Sequence, residues 1–298
     1  MNSRQIERVA HDRGFIAALD QSGGSTPKAL SDYGIDKNSY SSEAEMFDLM
    51  HAMRSRIMTS HSFNGDRIFG AILFEQTMER SVDGIGSAEY LWEKKNIVPF
   101  LKIDKGLAEQ TNGIQMMKPI DELEGLLDRA KAHSIFGTKM RSVIHLADAA
   151  GIAAILDQQF EYARMILSAG LMPIIEPEVN INSSEKAAIE ELLKVGIAQR
   201  LETLGEGHRV MLKLSLPSVD GFYSEFVGDP RVLRIVALSG GYDREYACQL
   251  LSKNPGLVAS FSRALSQGLF VDQSADTFDK TLDEAVEMIY RASIGEAA

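Results

Sequence analysis

Residues 171–179 read Leu-Met-Pro-Ile-Ile-Glu-Pro-Glu-Val, a short apolar run that carries two carboxylates, Glu176 and Glu178, near its far end. A nearly continuous apolar segment of this length is the pattern of a parallel strand covered on both faces. Working outward, seven further runs rich in Val, Ile, Leu and Phe repeat it, at 15–20, 67–74, 97–104, 136–144, 209–216, 234–241 and 257–265. Each lies far enough from the next for a helix to intervene, and helical period is legible at 43–60, 120–133, 152–169, 184–204, 244–252 and 277–292. Ser184 and Asp121, the latter near Pro119, are the expected helix-start residues. The stretch 80–96 reads as a loop at Asp83-Gly84-Ile85-Gly86 followed by a short helix, and 217–230 as a long loop with a turn of helix. Eight strands alternating with helices predict an α/β fold, a (β/α)8 TIM barrel. With no repeat, linker or low-complexity tract, residues 1–298 are expected to form a single barrel domain.

Composition narrows the function. The chain has 298 residues, 31 basic against 42 acidic, a net charge of −11, and 45% hydrophobic residues. This acidic balance is a poor match to phosphate-rich nucleic acid or anionic lipid, so no nucleic-acid or membrane partner is expected. No window approaches 18 consecutive apolar residues and the start has no apolar h-region, which predicts a cytoplasmic protein. Cys248 is the only cysteine; no internal disulfide can form, and its helical surroundings predict inert packing.

In a barrel of this kind functional residues gather at the carboxyl ends of the strands, so the charges that interrupt the apolar runs there are the candidates. They are Asp20 in the first run, Lys102 and Asp104 in the third, Lys139 and Arg141 in the fourth, Glu176 and Glu178 in the fifth, Lys213 in the sixth and Arg263 in the eighth. Residues two apart on a strand share a face, so each close pair presents two charges to one space. A single buried charge is commonly one member of a satisfied ion pair, but contributions from many strands point to a site. Lys139 and Lys213 suggest amine chemistry. Bringing a lysine pKa close to neutrality takes roughly 4–5 kcal/mol of differential interaction, and burial with a cationic neighbour supplies it. The free amine would attack a ketone or aldehyde, with Glu176 moving protons.

Phosphate recognition is the second signal. Ser239-Gly240-Gly241 closes the seventh run, and Arg263 follows in the eighth with Ser260 and Ser262 beside it. Loops after strands seven and eight are a frequent phosphate site of this fold. A second Ser-Gly-Gly, Ser22-Gly23-Gly24-Ser25, follows the first run, so a substrate with two phosphates is expected. The six histidines are scattered and make no metal-binding pattern, which predicts no metal, and Gly84-x-Gly86 lacks the context of a dinucleotide site, so no cofactor is expected. Met46, Met50, Met53 and Met58 fall at roughly helical spacing and read as core.

From about residue 14 to 265 the chain resembles the class I, Schiff-base fructose-1,6-bisphosphate aldolases in their short bacterial form. The resemblance rests on Ala-Ala-Leu-Asp-Gln-Ser-Gly-Gly-Ser, Leu-Lys-Ile-Asp-Lys-Gly, Ile-Ile-Glu-Pro-Glu-Val, Leu-Lys-Leu-Ser, Leu-Ser-Gly-Gly and Ser-Phe-Ser-Arg-Ala-Leu in this order. It implies reversible cleavage of fructose 1,6-bisphosphate, in glycolysis and gluconeogenesis, through an imine on Lys213. It further implies that Glu176 handles protons, that Asp20 contacts the imine lysine and orients substrate hydroxyls, and that Lys139 is the second active-site lysine. Ser239, Gly240 and Arg263 would then hold the ketone-proximal phosphate, with Ser22, Ser25 and Lys102 at the other; Gly241, Ser260 and Arg141, singled out above by the glycine turn, the serine beside Arg263 and the strand-end charges, are expected to complete the substrate contacts.

Several positions depart from the family pattern. Gln21 stands where many members have glutamate, Met140 where tryptophan is common, and Ser262 where glycine is frequent. Animal members end in a tail with a terminal tyrosine, whereas this chain ends Ile-Gly-Glu-Ala-Ala and its last tyrosine, Tyr290, falls in a helical segment; the group that protonates the enamine is left open. The alternatives are another Schiff-base lyase or transferase such as a transaldolase, and a catalytically silent sugar-phosphate binder. Oligomeric state is open, a homo-oligomer included.

Overall fold

A computed structural model describes residues 2–296. Among the described residues eight parallel strands form the body of the main sheet: β1 Phe15–Leu19, β2 Ile68–Leu73, β3 Val98–Lys102, β4 Gly137–Ile144, β5 Met172–Val179, β6 Val210–Ser215, β7 Val232–Leu238 and β8 Leu257–Ala259, with a two-residue strand, Ile114–Gln115, added antiparallel to β4. They pair in chain order with helices between them, and the sheet curls into a nearly closed (β/α)8 barrel. All eight expected strands are present.

Alternation along the strands explains both the apolar runs and the charges. One set of side chains, including Phe15, Ala17, Leu19, Leu101, Met140, Ile175, Leu212 and Leu214, packs outward against the helices. The other fills the barrel: Ile16, Ala18, Phe69, Val98, Phe100, Met172, Ile174, Met211, Val236 and Val258. On the inward face the next residues up are polar. Asp20 follows Ala18, Lys102 follows Phe100, Glu176 follows Ile174 and Lys213 follows Met211. The floor is aromatic, with Phe100 and Phe136 edge to face at 5.4 Å. Beneath it the helix Ser3–His11, capped by the Asn2 side chain, supplies Val9 to the inner core, and Arg234 ties it down through the carbonyls of Ala10 and Asp12.

Helices Glu43–Thr59, Ala149–Ser168, Arg244–Ser252 and Ala275–Ser293 begin with side-chain caps from Ser42, Asp148, Asp243 and Ser274. Ser87–Lys95 is the expected short helix, and 217–230 holds one turn, Ser224–Phe226. Cys248 is fully buried, and burial pushes its thiol up to about 12.

The structure corrects four local readings. Arg263 does not lie on a strand: β8 stops at Ala259, and Arg263 opens the one-turn helix Arg263–Ser266. Ser184 and Asp121 are not caps, since the helices Lys186–Leu201 and Leu123–Ala132 start after Glu185 and Glu122 with no side-chain cap. The presumed loop at 83–86 is part of a hairpin, Ser81–Val82 with Ile85–Gly86, turning through Asp83 and Gly84 at φ 50 and 77. Helices Ser3–His11, Ser25–Asp32 and Glu75–Met78 had no counterpart in the sequence reading. Tyr290 lies in the helix Ala275–Ser293, while the last two residues of the carboxyl-terminal pentapeptide are outside the described residues.

Close packing at the floor depends on Gly137. A Cβ there would sit 2.3 Å from the Met172 carbonyl oxygen and 2.9 Å from two Phe100 ring carbons. Gly137→Ala is therefore expected to destabilise the protein by about 1–3 kcal/mol. An unchanged urea midpoint would contradict this packing.

Candidate active site

The polar rungs of the inward face open into a cavity of about 750 Å³ at the carboxyl ends of the strands. At its base Glu176 lies between two lysines. Its Oε1 is 3.0 Å from Lys213 Nζ and its Oε2 2.9 Å from Lys139 Nζ, and Lys139 also meets Asp20 Oδ2 at 2.6 Å. All four side chains are buried. The sequence reading had the two ammonium groups approaching one another; the structure interposes a carboxylate.

Local architecture makes room for this arrangement. β5 and β6 pair at Ile174–Met211 and Ile175–Leu212, one level below the charges. Pro177 has no N–H for a ladder bond, and Ser215 Oγ bridges the strands higher up, accepting from Val179 N at 2.9 Å. The Glu176 N–H is taken by Gln159 Oε1 at 2.8 Å, and Gln159 Nε2 donates to Ser142 Oγ at 3.1 Å. Gln159 escaped the sequence reading, although a polar residue on the buried stripe of Ile152, Ile155, Leu156 and Ala163 was its visible signal.

Electrostatics follow from this geometry. Burial disfavours charge on Lys139, but Asp20, Glu176 and Asp104 outweigh it and hold the ammonium well above the usual lysine range. Burial likewise opposes ionisation of Asp20, yet Lys139, Lys213 and Lys102 hold its carboxyl below the usual carboxylate range. Glu176 Oε2 has no hydrogen-bond partner, since Lys139 lies off hydrogen-bond alignment despite its short distance. A buried carboxylate oxygen without a hydrogen-bond partner retains the capacity to accept a proton.

Around this centre, Lys102 Nζ donates to Asp104 Oδ1 at 2.6 Å and to the Asp104 carbonyl at 2.9 Å, leaving one ammonium proton for a ligand. Burial lowers its pKa. Arg141 pairs with Glu178 at 2.9 Å. The inner strands thus balance Lys102, Lys139, Arg141 and Lys213 against Asp20, Asp104, Glu176 and Glu178. Arg263 lies outside that balance: it is exposed and forms no ion pair among the described residues.

The two glycine-rich turns sit on the same cavity. Gly240 and Gly241 have φ of +62 and +122; a Cβ at 240 would strike Ile181 at 2.5 Å, and one at 241 would press on Arg263 Nη2 at 3.2 Å. Gly241 lies under the Arg263 guanidinium rather than on the cavity wall. Ser239 and Ser260 line the wall, and the buried Ser260 hydroxyl has no partner. Ser22, Gly23, Gly24 and Ser25 form the start of the helix Ser25–Asp32, whose first turn has no side-chain cap. Ser25 Oγ instead closes the turn on Ser22, donating to its carbonyl at 2.9 Å and accepting from its N–H at 3.0 Å. An uncapped helix start and an unpaired arginine, both on one cavity, suit two anionic groups.

The structure therefore brings Asp20, Ser22, Ser25, Lys102, Lys139, Arg141, Glu176, Lys213, Ser239, Gly240, Ser260 and Arg263 to one cavity wall. The wall also includes Gln21 and Ser262, which the sequence reading noted without giving them a site role, and Lys28 and Lys105, which it did not single out. Among the described residues no cluster of three or more His, Cys, Asp or Glu is placed to hold a metal, and no helix is long and apolar enough to cross a membrane.

Comparison with known proteins converges on one family. Residues 3–212 match the family model described as fructose-bisphosphate aldolase class-I. The chain is 57% identical over 294 residues to fructose-bisphosphate aldolase class 1 of Clostridium acetobutylicum, covering 99% of this chain and 100% of the relative. It is also 57% identical over 293 residues to the protein of the same name from Synechocystis, covering 98% of both. Among solved structures, a Plasmodium falciparum fructose-bisphosphate aldolase, crystallised with TRAP and a small-molecule inhibitor, shares the fold at a TM-score of 0.79. It is 20% identical, with 99% of this chain and 94% of that one covered.

The buried charges make stability depend on pH. Because the native pKa of Asp20 is lowered, its contribution is present above the ordinary aspartate range and is lost as pH falls from about 5 toward the native value. Lys139, with a raised native pKa, contributes fully below the ordinary lysine range and loses its contribution only as pH rises through the native value. At pH 7 both contributions are intact. Lys139→Met leaves two buried carboxylates short of a cation and is expected to cost about 3–5 kcal/mol in denaturant unfolding at that pH; a loss below about 1 kcal/mol would contradict the network.

Proposed function

The chain belongs to the class I fructose-bisphosphate aldolase family, and on that premise we propose that it cleaves fructose 1,6-bisphosphate reversibly to dihydroxyacetone phosphate and glyceraldehyde 3-phosphate through an imine on Lys213. The observation that carries this reading is the Glu176 carboxylate shared between Lys213 and Lys139 at the cavity base. A carboxylate against each lysine lets a proton leave one amine and be accepted nearby without a free charge entering the barrel.

The chemistry follows in order. The Lys213 amine adds to the ketone carbon, and Glu176 delivers the proton with which the carbinolamine oxygen departs as water. The protonated imine then serves as the electron sink. Glu176, returned to its carboxylate form, takes the proton of the C4 hydroxyl; the C3–C4 bond breaks, its electron pair flows into the imine, and glyceraldehyde 3-phosphate leaves. The enamine is protonated at carbon and hydrolysed to free dihydroxyacetone phosphate and the lysine. Lys139, held charged by Asp20 and Glu176, stabilises oxygen anions that develop beside it.

Binding at the ends aligns the centre. Ser239, Gly240, Ser260 and Arg263 are proposed to hold the phosphate next to the ketone, Gly241 serving beneath Arg263 by leaving room for its guanidinium, and Ser22, Ser25, Lys102 and Arg141 the distal part of the substrate. Two anchored phosphates fix the reacting carbons against Lys213 and Glu176, so that remote binding energy lowers the chemical barrier. The same reading describes a cytoplasmic enzyme of glycolysis and gluconeogenesis working as one barrel domain. No metal or cofactor is needed, because the imine supplies the electron sink.

The test is borohydride reduction with fructose 1,6-bisphosphate and a chelator present, followed by peptide mass spectrometry. A stable sugar-phosphate adduct on Lys213, with activity unaffected by the chelator, is expected. An adduct on Lys139 would exchange the lysine roles, and binding with no lysine adduct would replace imine chemistry by a silent sugar-phosphate binder.

A further inference from the structure

The barrel is weakest where its ends meet. β1 and β8 do not pair as strands among the described residues, and β8 is three residues long. A backbone hydrogen bond from Ala18 N to the Phe261 carbonyl, at 3.1 Å, crosses this seam. At the cavity mouth a side-chain bond crosses it as well: Gln21 Nε2 donates to Ser262 Oγ at 2.7 Å. Gln21 stands between Asp20 and Ser22, and Ser262 directly precedes Arg263. This bond therefore joins the turns that carry the two anion-binding ends of the cavity.

Gln21 is itself held by Arg54, from the helix Glu43–Thr59. Arg54 Nη2 donates to the Gln21 carbonyl and lies 3.4 Å from Gln21 Oε1, while Nη1 donates to Thr77 Oγ1 at 2.8 Å. Arg54 is 1% exposed, its hydrogen-bond partners are all neutral, and its Nε has none. Burial lowers its pKa to about 10 against the pull of Asp20. A guanidinium kept in such a place is costly. Its neighbours on the same buried stripe, Met50, Met53, Ile57 and Met58, show that apolar side chains fill this layer. What an apolar residue could not do is hold the turn after β1 and the turn after β2 at once.

We propose that Arg54 is a positioning residue: by fixing Gln21, and through it Ser262, it sets the spacing between the Ser22–Ser25 turn and the Arg263 turn that a bisphosphate must span. The inference rests on the bisphosphate reading above, and it makes Gln21 and Ser262 parts of one chain of contacts rather than separate ligands.

The probe is a hexitol 1,6-bisphosphate, which has no ketone and binds without reacting, titrated calorimetrically against wild type, Gln21→Leu, Ser262→Ala, their double variant, Arg54→Met and Arg54→Lys. Inorganic phosphate is titrated in parallel, and KM and kcat are measured with fructose 1,6-bisphosphate. Gln21→Leu and Ser262→Ala should each raise the bisphosphate Kd about three- to tenfold, the size of one lost hydrogen bond. The double variant should be no worse than either single one. The Kd for inorganic phosphate should stay within about twofold, and KM should rise more than kcat falls. Arg54→Lys keeps the charge but not the fork that reaches two turns, so it should behave like Gln21→Leu; it carries the test if Arg54→Met fails to fold. Multiplying effects in the double variant, or Gln21→Leu and Arg54→Lys proteins that bind the bisphosphate as wild type does and differ only in melting temperature, would overturn the proposal. Wild type that binds the hexitol bisphosphate but does not cleave the sugar would overturn the cleavage reading alone; wild type that binds neither would overturn both.

Discussion

The arrangement on which the rest depends is one carboxylate, Glu176, held between two buried lysines that come from strands on either side of it. Strand alternation alone puts it there. The inward residues of β5 run Met172, Ile174, Glu176 and Glu178, so the face that packs the barrel interior becomes the face that lines the cavity. The parallel register sets Arg141 opposite Glu176 and Val236 opposite Lys213. A slip of one residue in any of these strands would turn its charge outward into the helix layer.

Such a network is not an efficient source of stability. Buried ion pairs repay their desolvation only with good geometry, and apolar residues of similar size often serve as well. Here the pairs leave every inner charge compensated and reserve three capacities for a ligand: the open Glu176 lone pair, the unpartnered Ser260 hydroxyl and the unpaired Arg263. Those three suit the proton transfer and anion binding proposed for the site. Their distribution, proton chemistry at the base and cationic or uncapped turns at the rim, is what an extended, doubly phosphorylated substrate requires.

Much of this was legible in the sequence because burial on both faces writes parallel strands as apolar runs, and charges near their ends stand out against that background. Other features left weaker marks. Ser260-Phe261-Ser262 alternates as a strand would, but Ser262 adopts φ −107 and ψ −77, and the chain turns into a helix at Arg263. The hairpin around Asp83-Gly84 has two-residue strands, too short for a period to show. Ser184 and Asp121 had the right chemistry for caps, but each lies one residue before the position from which its helix starts, Glu185 and Glu122. Arg54 and Gln159 are polar residues on apolar helical stripes, visible in principle as breaks in the 3.6-residue pattern, yet their partners are loops and strand backbone far away in sequence.

Imine formation at Lys213 is the central claim, and oxygen exchange tests it most directly. Dihydroxyacetone phosphate incubated with the protein in H2(18)O must lose its carbonyl oxygen each time the imine forms and is hydrolysed. Exchange by the wild type well above the uncatalysed rate, abolished in Lys213→Met while hexitol bisphosphate binding persists, is the predicted result. Exchange at the uncatalysed rate by a protein that still cleaves fructose 1,6-bisphosphate would contradict it.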